Sequence, residues 1–165
     1  MRELTRLPSL TLRATFGSNV DLGALSGRTV LYVYPRTGRP GTDSPAGWDV
    51  IPGARGCTPE ACSFRDHFAE LRAVGVTRIF GVSSQDSEYQ SEAVERLHLP
   101  FAMLSDPRFL LADALDLPTF ETDGETFYRR LTIVAQGSTI ERVFFPVDDP
   151  QHHPSEIVAW LGSAN

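Results

Sequence analysis

The 165-residue sequence predicts an α/β domain built on a mixed central sheet with helices on both faces. Two features support this prediction. Apolar, β-branched runs alternate with helical patterns along most of the chain, and the chain closes with two strands around "QGS" followed by the helical segment "PSEIVAWLG". The length corresponds to one domain, which we place at residues 1–165.

The first half of the chain contains three predicted strands and one helix. "LTLRATF" and "VDLGAL" flank the turn signal "GSN" and predict an N-terminal β-hairpin. "TVLYVY" is a continuous apolar run, typical of a strand that is covered on both faces. A helix is predicted around Pro59, which suits a first turn, and its apolar stripe recurs at i, i+3, i+7 and i+10 from Ala61 to Leu71.

The second half continues the alternation. "TRIFGVS" and "FAMLSD" are predicted strands, and "SEYQSEAVERLH" and "RFLLADAL" are predicted helices. "RRLTIVA" and "TIERVFF" are predicted to form a hairpin around "QGS". This order of elements fits a thioredoxin-like fold, and a flavodoxin-like sheet is the alternative that the order alone leaves open.

Composition and charge exclude several classes of function. The formal net charge is -6 and no cluster of Lys and Arg occurs, which argues against a nucleic-acid-binding protein. No stretch approaches 18 consecutive apolar residues, so we expect no membrane span. The start of the chain lacks the apolar core of a signal peptide, and we therefore expect a cytoplasmic protein.

A long segment without period separates the third strand from the predicted helix. It is rich in proline and glycine and ends just before Cys57. Long ordered loops in compact domains usually have a function, and we interpret residues 36–56 as an inserted loop next to the functional site.

The chain contains two cysteines, Cys57 and Cys62, both at the start of this helix. A free cysteine is often simply a small buried hydrophobe. Here, however, the unpaired N–H groups of a helix N-terminus would favour a thiolate at Cys57, and Arg55 would add to the effect. The same position would equally favour a bound anion.

The spacing of the cysteines argues against a metal site and a permanent disulfide. Cys57, Cys62 and His67 are five residues apart, and this spacing spreads them around a helix instead of bringing them together, so we expect no metal. Residues i and i+5 lie roughly 8–9 Å apart at Cα on a helix, whereas disulfides need less than about 7 Å. The two thiols can therefore pair only if the first turns of the helix unwind.

The segment "GCTPEACSFRD" resembles the active-site segment of peroxiredoxins of the Q or bacterioferritin-comigratory type. The resemblance extends over nearly the whole chain. "LPSLTLRATFGSNVDLGALSGRTVLYVYP" resembles the opening hairpin and first core strand of that family, "LPFAMLSDP" its segment before a short helix, and "YRRLTIVAQGSTIERVF" its arginine-bearing strand and hairpin. The resemblance favours the thioredoxin-like fold.

The resemblance also implies roles for individual residues. Cys57 matches the peroxidatic cysteine, whose thiolate attacks a peroxide, and Cys62 matches a resolving cysteine. Arg130, and not its neighbour Arg129, matches the arginine that polarises the peroxide, and Glu60 matches an acidic residue that orients this arginine.

The same resemblance assigns Pro35, Gly56 and Thr58 to substrate binding and implies that no cofactor is needed. The expected substrate is hydrogen peroxide or an organic hydroperoxide, and the expected reductant is a thioredoxin or a similar dithiol protein. We expect a monomer, because an intramolecular disulfide does not need a second subunit.

The chain departs from the family pattern Pro-x-x-x-Thr-x-x-Cys at two points. Ala54 occupies the position of the threonine, and Pro35 and Cys57 are about 15 residues further apart than in the pattern. Either another hydroxyl folds back into the site, from Thr37, Thr42, Ser44 or Thr58, or the site works more slowly without one. The missing hydroxyl also leaves open an alternative function, a redox sensor with little turnover.

Overall fold

The structure is a computed structural model that describes residues 5–39 and 41–163, without the side chain of Phe16. Nine strands are assigned within these residues: β1 Thr11–Ala14, β2 Asn19–Asp21, β3 Arg28–Val33, β4 Val76–Ser83, β5 Met103–Ser105, β6 Thr119–Thr122, β7 Glu125–Tyr128, β8 Leu131–Gln136 and β9 Thr139–Phe144. The α-helices of the same residues are α1 Cys57–Asp66, α2 Phe68–Ala73, α3 Ser87–Leu97, α4 Leu110–Leu115 and α5 His153–Ser163.

Seven strands form one mixed sheet in the order β2-β1-β5-β4-β3-β8-β9. The pairs β3–β4 and β4–β5 are parallel, whereas β1–β5, β3–β8 and β8–β9 are antiparallel. The predicted N-terminal hairpin is present as β1–β2 at one edge of the sheet. The mixed sheet and both predicted hairpins are therefore confirmed.

Strand β3 lies inside the sheet between β4 and β8 and is buried on both faces, as its continuous apolar sequence predicts. Its side chains alternate between two clusters. Tyr32 packs with Phe64 of α1, and their ring centroids lie 4.4 Å apart. Leu31 and Val33 point to the opposite face, where they join a cluster that includes Leu111 of α4. Helices therefore cover both faces, as expected.

The predicted single helix after the long segment is two helices, α1 and α2, separated at His67. The ring Nδ1 of His67 lies 2.8 Å from the carbonyl oxygen of Ser63 and competes for it with the backbone N–H of the same residue. The ring Nε2 lies 3.0 Å from the hydroxyl of Ser155, which ties this junction to α5. Three members of the expected stripe, Ala61, Phe64 and Leu71, are fully buried across the break, whereas the fourth, Phe68, is half-buried against the same cluster.

A separate two-stranded hairpin, β6–β7, was not predicted from the sequence. Its turn contains Asp123 and Gly124, which both adopt positive φ values, of 52° and 76°. An Asp-Gly pair between short apolar-aromatic runs is a strong hairpin signal, so the local sequence did contain the information.

The hairpin β6–β7 holds the long segment that precedes α1. Within the described part of this segment, Trp48–Val50 form a short 3-10 helix. Trp48 is 5% exposed and packs on Phe120 and Phe127, with ring centroids 5.7 and 5.0 Å away, and Ala54 joins the same cluster. The segment thus has its own small apolar core next to the start of α1.

None of the helices in the described residues is long and apolar enough to cross a membrane.

Candidate active site

Cys57 is the first residue of α1, as the helix-start signal predicted. Gly56 precedes it with φ 103°, and a Cβ atom at this position would lie 3.0 Å from Cγ of Pro150. Glycine is therefore required both by the backbone angle and by the close approach of Pro150. The Cys57 side chain is 4% exposed and lines a cavity of about 140 Å³.

Arg130 lies directly before β8, and its guanidinium reaches the Cys57 sulfur. Its Nη2 donates to Sγ at 3.1 Å and also to the carbonyl oxygens of Ala54 and Arg55 at 3.2 and 3.1 Å. Its Nε donates to the carbonyl oxygen of Gly53 at 3.2 Å. These contacts fix the guanidinium against the backbone that leads into α1.

Glu60 forms the other half of this arrangement. Nη1 of Arg130 lies 2.6 Å from Oε1 of Glu60, and both side chains are almost completely excluded from solvent. Burial raises the pKa of Glu60 to about 7, although Arg130 acts in the opposite direction. Burial alone would lower the pKa of Arg130, but the charges of Cys57 and Glu60 raise it overall, so the guanidinium stays charged.

The pKa of Cys57 differs from the sequence-based expectation of a thiol that ionises easily. Burial raises this pKa above its usual value; Arg130 lowers it, Glu60 raises it, and the backbone N–H of Arg36 lowers it. The expectation was wrong in direction, because the helix N-terminus and Arg55 are visible in the sequence whereas the burial and the nearby carboxylate are not. The side chain of Arg55 is exposed.

The residues assigned to substrate binding separate into two groups. Gly56 and Thr58 line the Cys57 cavity. Pro35 is buried two residues after the end of β3 and is not one of the lining residues, but it precedes Arg36, which lines the cavity and whose backbone N–H lowers the Cys57 pKa.

Two of the four residues whose hydroxyl could replace the one missing at Ala54 lie at the Cys57 cavity. Ser44 and Thr58 line the Cys57 cavity. The hydroxyl of Thr37 is buried and donates to Oε1 of Gln85 at 3.3 Å, and Thr42 lines a neighbouring groove of about 410 Å³. Ser44 also lines that groove. Ala54 is fully buried, and its methyl group belongs to the apolar cluster around Trp48.

Cys62 is half-buried on α1 and is not one of the residues that line the Cys57 cavity. Both cysteines are free thiols, and one continuous helix carries them. The helical backbone between them agrees with the prediction that a disulfide requires the first turns of α1 to unwind.

Two side chains near the site were not assigned to it from the sequence. Trp48 lines the Cys57 cavity and also belongs to the small apolar core. From the sequence, His153 was weighed only as a possible further metal ligand; it is buried near Arg130, and its pKa is lowered to about 4 by burial and by the charges of Arg130 and Arg142. No sequence signal connects His153 to Arg130, because they come from different elements.

Metal binding was also considered from the cysteine and histidine spacing. Across residues 5–39 and 41–163, no group of three or more His, Cys, Asp or Glu side chains is placed to hold a metal ion. The expectation that the chain needs no metal stays a prediction.

Comparisons with known proteins agree with this geometry. The family model described as Redoxin matches residues 3–161. The chain is 38% identical over 116 residues to peroxiredoxin Bcp of Bacillus subtilis, an alignment that covers 68% of this chain and 62% of the relative. It is 26% identical over 158 residues to the chloroplastic peroxiredoxin Q of Gentiana triflora, covering 95% of this chain and 65% of the relative. The chain thus spans somewhat less than two thirds of these relatives.

Solved structures share the fold. Peroxidoxin BcpB of Mycobacterium tuberculosis superposes with a TM-score of 0.74 at 20% identity and covers 99% of both chains. A bacterioferritin comigratory protein of Xanthomonas campestris, described for its alkyl peroxide reduction activity, superposes with a TM-score of 0.75 at 22% identity over 96% of both chains. At these identities the structures establish the thioredoxin-like peroxiredoxin fold. The chain therefore belongs to the Redoxin family and, within it, to the peroxiredoxins of the Q or bacterioferritin-comigratory type that its active-site motif indicated.

Proposed function

We propose that this chain is a thiol-dependent peroxidase that reduces hydrogen peroxide or an organic hydroperoxide at Cys57. One observation carries the proposal: the Cys57 sulfur lines a cavity and lies 3.1 Å from a buried guanidinium nitrogen of Arg130. A fixed cation at this distance stabilises a thiolate and the negative charge that develops on a departing oxygen. The Xanthomonas relative described for alkyl peroxide reduction supports the same activity.

In the proposed reaction the thiol first gives up its proton, and a lone pair of the sulfur then forms the new bond to oxygen. The Cys57 thiol loses its proton, the thiolate forms a bond to one peroxide oxygen, and the O–O bond breaks. The other oxygen leaves with the bonding pair and takes up a proton, so that thiol and hydroperoxide become sulfenic acid and alcohol, or water. Arg130 is the donor that contacts the sulfur during this step.

Cys62 resolves the sulfenic acid in this proposal. The start of α1 unwinds, the Cys62 thiolate attacks the oxidised sulfur, and water leaves as the disulfide forms. A thioredoxin or a similar dithiol protein then restores both thiols by exchange. Because both cysteines belong to one chain, this cycle does not need a second subunit, and we propose a monomer. We propose that it acts in the cytoplasm, where dithiol proteins are kept reduced.

Thiol counting with stoichiometric peroxide tests the proposal. One equivalent of hydrogen peroxide should remove both free thiols of the reduced protein and leave an intramolecular disulfide in its mass spectrum. Cys57→Ser should abolish peroxide consumption. Cys62→Ser, the matched control, should react once, stop at sulfenic acid, and then oxidise further in excess peroxide. Survival of both thiols, or peroxidase activity in Cys57→Ser, would show that the proposal is wrong.

A redox sensor is the second candidate, and the alanine at position 54 favours it. Without the motif hydroxyl a slow reaction with peroxide and little turnover would suffice for a sensor. Continuous turnover with a thioredoxin-type reductant distinguishes the two functions, because a sensor would be oxidised once and would not sustain peroxide consumption.

A further inference from the structure

Arg130 joins two acidic side chains of the same helix through two different nitrogen atoms. Its Nη2 contacts the Cys57 sulfur at 3.1 Å, and its Nη1 contacts Oε1 of Glu60 at 2.6 Å. The exposed fractions of the three residues are 4%, 0% and 3% for Cys57, Glu60 and Arg130. The second carboxyl oxygen of Glu60 is buried and has no hydrogen-bond partner among the described residues.

The charge of this buried group depends on a single proton. If Cys57 and Glu60 both ionise, two negative charges face one guanidinium, and the site carries a net charge of -1 away from solvent. Removing an unbalanced charge from water is costly, so proteins shift pKa values until the charge is compensated. One proton, on either the sulfur or the carboxyl group, makes the group neutral.

Neither β3 nor α5 supplies the missing positive charge. Burial raises the pKa of Tyr32 on β3 and of Tyr34 directly after this strand, so their phenols are neutral. The lowered pKa of His153 on α5, about 4, keeps its imidazole neutral at physiological pH. Arg36 and Arg55 line the Cys57 cavity, but among the described residues neither side chain hydrogen-bonds the sulfur or the carboxylate. Arg130 is thus the only cation among the described residues that both sulfur and carboxylate contact.

The hydrogen bonds of Cys57 fit a sulfur that exchanges its proton. As a thiol, it can donate to the carbonyl oxygen of Ala54, which lies 3.6 Å away. As a thiolate, it can only accept, and Arg130 already points Nη2 at it. Glu60 likewise has one oxygen bound to Arg130 and one oxygen free of such a bond, so a proton there disrupts no existing contact.

We propose that Cys57 and Glu60 share one proton across Arg130, so that Glu60 becomes protonated as Cys57 ionises for attack. This inference rests on the proposed peroxidase function, because attack on peroxide is what the ionised thiol would serve. The pKa values that test it can be measured whether or not the chain is a peroxidase. In the transfer the thiol loses a proton and the carboxylate gains it, and no net charge enters the buried site. Glu60 is then a positioning residue that adjusts the thiol through its charge, in addition to holding the guanidinium.

The ionisation of Cys57 in a Glu60→Gln variant tests the proposal, because the two roles of Glu60 predict opposite signs. Glutamine can still accept a hydrogen bond from Nη1 of Arg130, but it carries no charge. Proton sharing predicts that the Cys57 pKa falls by about one to three units, the size of shift that one nearby charge produces. If Glu60 only holds the arginine, the pKa stays constant or rises as Arg130 loses its anchor.

The measurement is the rate of iodoacetamide alkylation against pH in a Cys62→Ser background, where Cys57 is the remaining thiol. Glu156→Gln is the matched control; this exposed carboxylate near His153 undergoes the same change, and the Cys57 profile should not move. A Cys57 pKa that is unchanged or higher in Glu60→Gln would overturn the proposal. Peroxide consumption is recorded separately, so the proposed function and the shared proton can fail independently.

A reciprocal measurement keeps the test decisive if Glu60→Gln does not fold. Two coupled acids shift each other by the same free energy, so removing the thiol must also change Glu60. The pKa of Glu60 can be followed by NMR of its carboxyl carbon. In the wild-type chain, at a pH where Cys57 is ionised, the thiolate raises this pKa. In Cys57→Ala no thiolate is present, and the pKa of Glu60 should be lower. A Glu60 titration that is identical in both proteins would contradict proton sharing.

Discussion

The guanidinium of Arg130 lies 3.1 Å from the sulfur of Cys57, although 73 residues separate the two positions in the chain. The sheet brings them together. β8 pairs with β3, which places Arg130 beside the end of β3, and α1 begins at the same end of the sheet with Cys57 as its first residue. The reactivity proposed for the sulfur depends on this junction between distant segments.

Replacing Arg130 should slow the reaction with peroxide by about 10²–10³-fold, because a fixed donor at the reacting atoms is lost. Arg130→Lys keeps the charge, but one ammonium group cannot contact both Cys57 and Glu60 as the guanidinium fork does. Stopped-flow measurement of the second-order rate with hydrogen peroxide provides the test. Arg129→Lys is the control; its guanidinium lies 5.3 Å from the ring centre of Phe120, and its rate should stay within about twofold.

Ser44 is the hydroxyl from the long segment that we expect to contact the peroxide. It lines the Cys57 cavity, whereas Thr42 of the same segment lines only the neighbouring groove. Ser44→Ala should therefore lower the rate with hydrogen peroxide by roughly tenfold or more, as expected for a lost donor at a reacting oxygen. Thr42→Ala should leave the rate unchanged. Equal rates in wild type and Ser44→Ala would mean that Thr58 or no hydroxyl serves this purpose.

The small apolar core around Trp48 should control the order of the segment before α1. Trp48→Ala removes a buried ring from contact with Phe120 and Phe127, a change that costs about 3–5 kcal/mol in well-packed sites. We expect faster proteolysis between residues 36 and 56 and a slower reaction with peroxide. Trp160→Ala provides the control, because Trp160 packs on Phe144 far along the chain; it should lower the melting temperature without exposing this segment.

His153 and Glu60 should make opposite contributions to the pH dependence of stability. The pKa of His153 falls from 6.5 to about 4 on folding, so its contribution is present above pH 6.5 and is lost as pH falls towards 4. The pKa of Glu60 rises from 4.5 to about 7, so its contribution is present below pH 4.5 and is lost as pH rises through 7. Each pKa shift changes the free energy of unfolding by about 3 kcal/mol across its pH range. Between pH 4.5 and 6.5 the two changes have opposite signs and largely cancel.

Single variants should separate these contributions in urea unfolding at several pH values. His153→Gln can keep a hydrogen bond to the Thr132 hydroxyl, 2.8 Å from the imidazole Nε2, and its stability relative to wild type should improve as pH falls below 6.5. Glu60→Gln should instead gain stability relative to wild type as pH rises above 5. Parallel pH profiles in all three proteins would show that folding does not shift the pKa of either group in the expected direction.

Local patterns of the chain were sufficient for most of the fold. The alternation of β3 between two faces, the helix start at Cys57 and the terminal hairpin are each encoded within a few neighbouring residues. The Asp123-Gly124 turn was equally local and could have been predicted. The motif around Cys57 indicated the family, and the family model and relatives confirmed it.

The protonation state of Cys57 could not be predicted from local sequence patterns. Sequence placed Cys57 at a helix N-terminus and suggested an easily ionised thiol, but folding buries the sulfur and sets the Glu60 carboxylate against the same guanidinium. The energy of a charge depends on its distance from other charges and on the exclusion of water, and both are set by segments far apart in the chain. A helix start can be recognised from a few adjacent residues, whereas the protonation state of its thiol follows from the assembly of β3, β8, α1 and α5 around it.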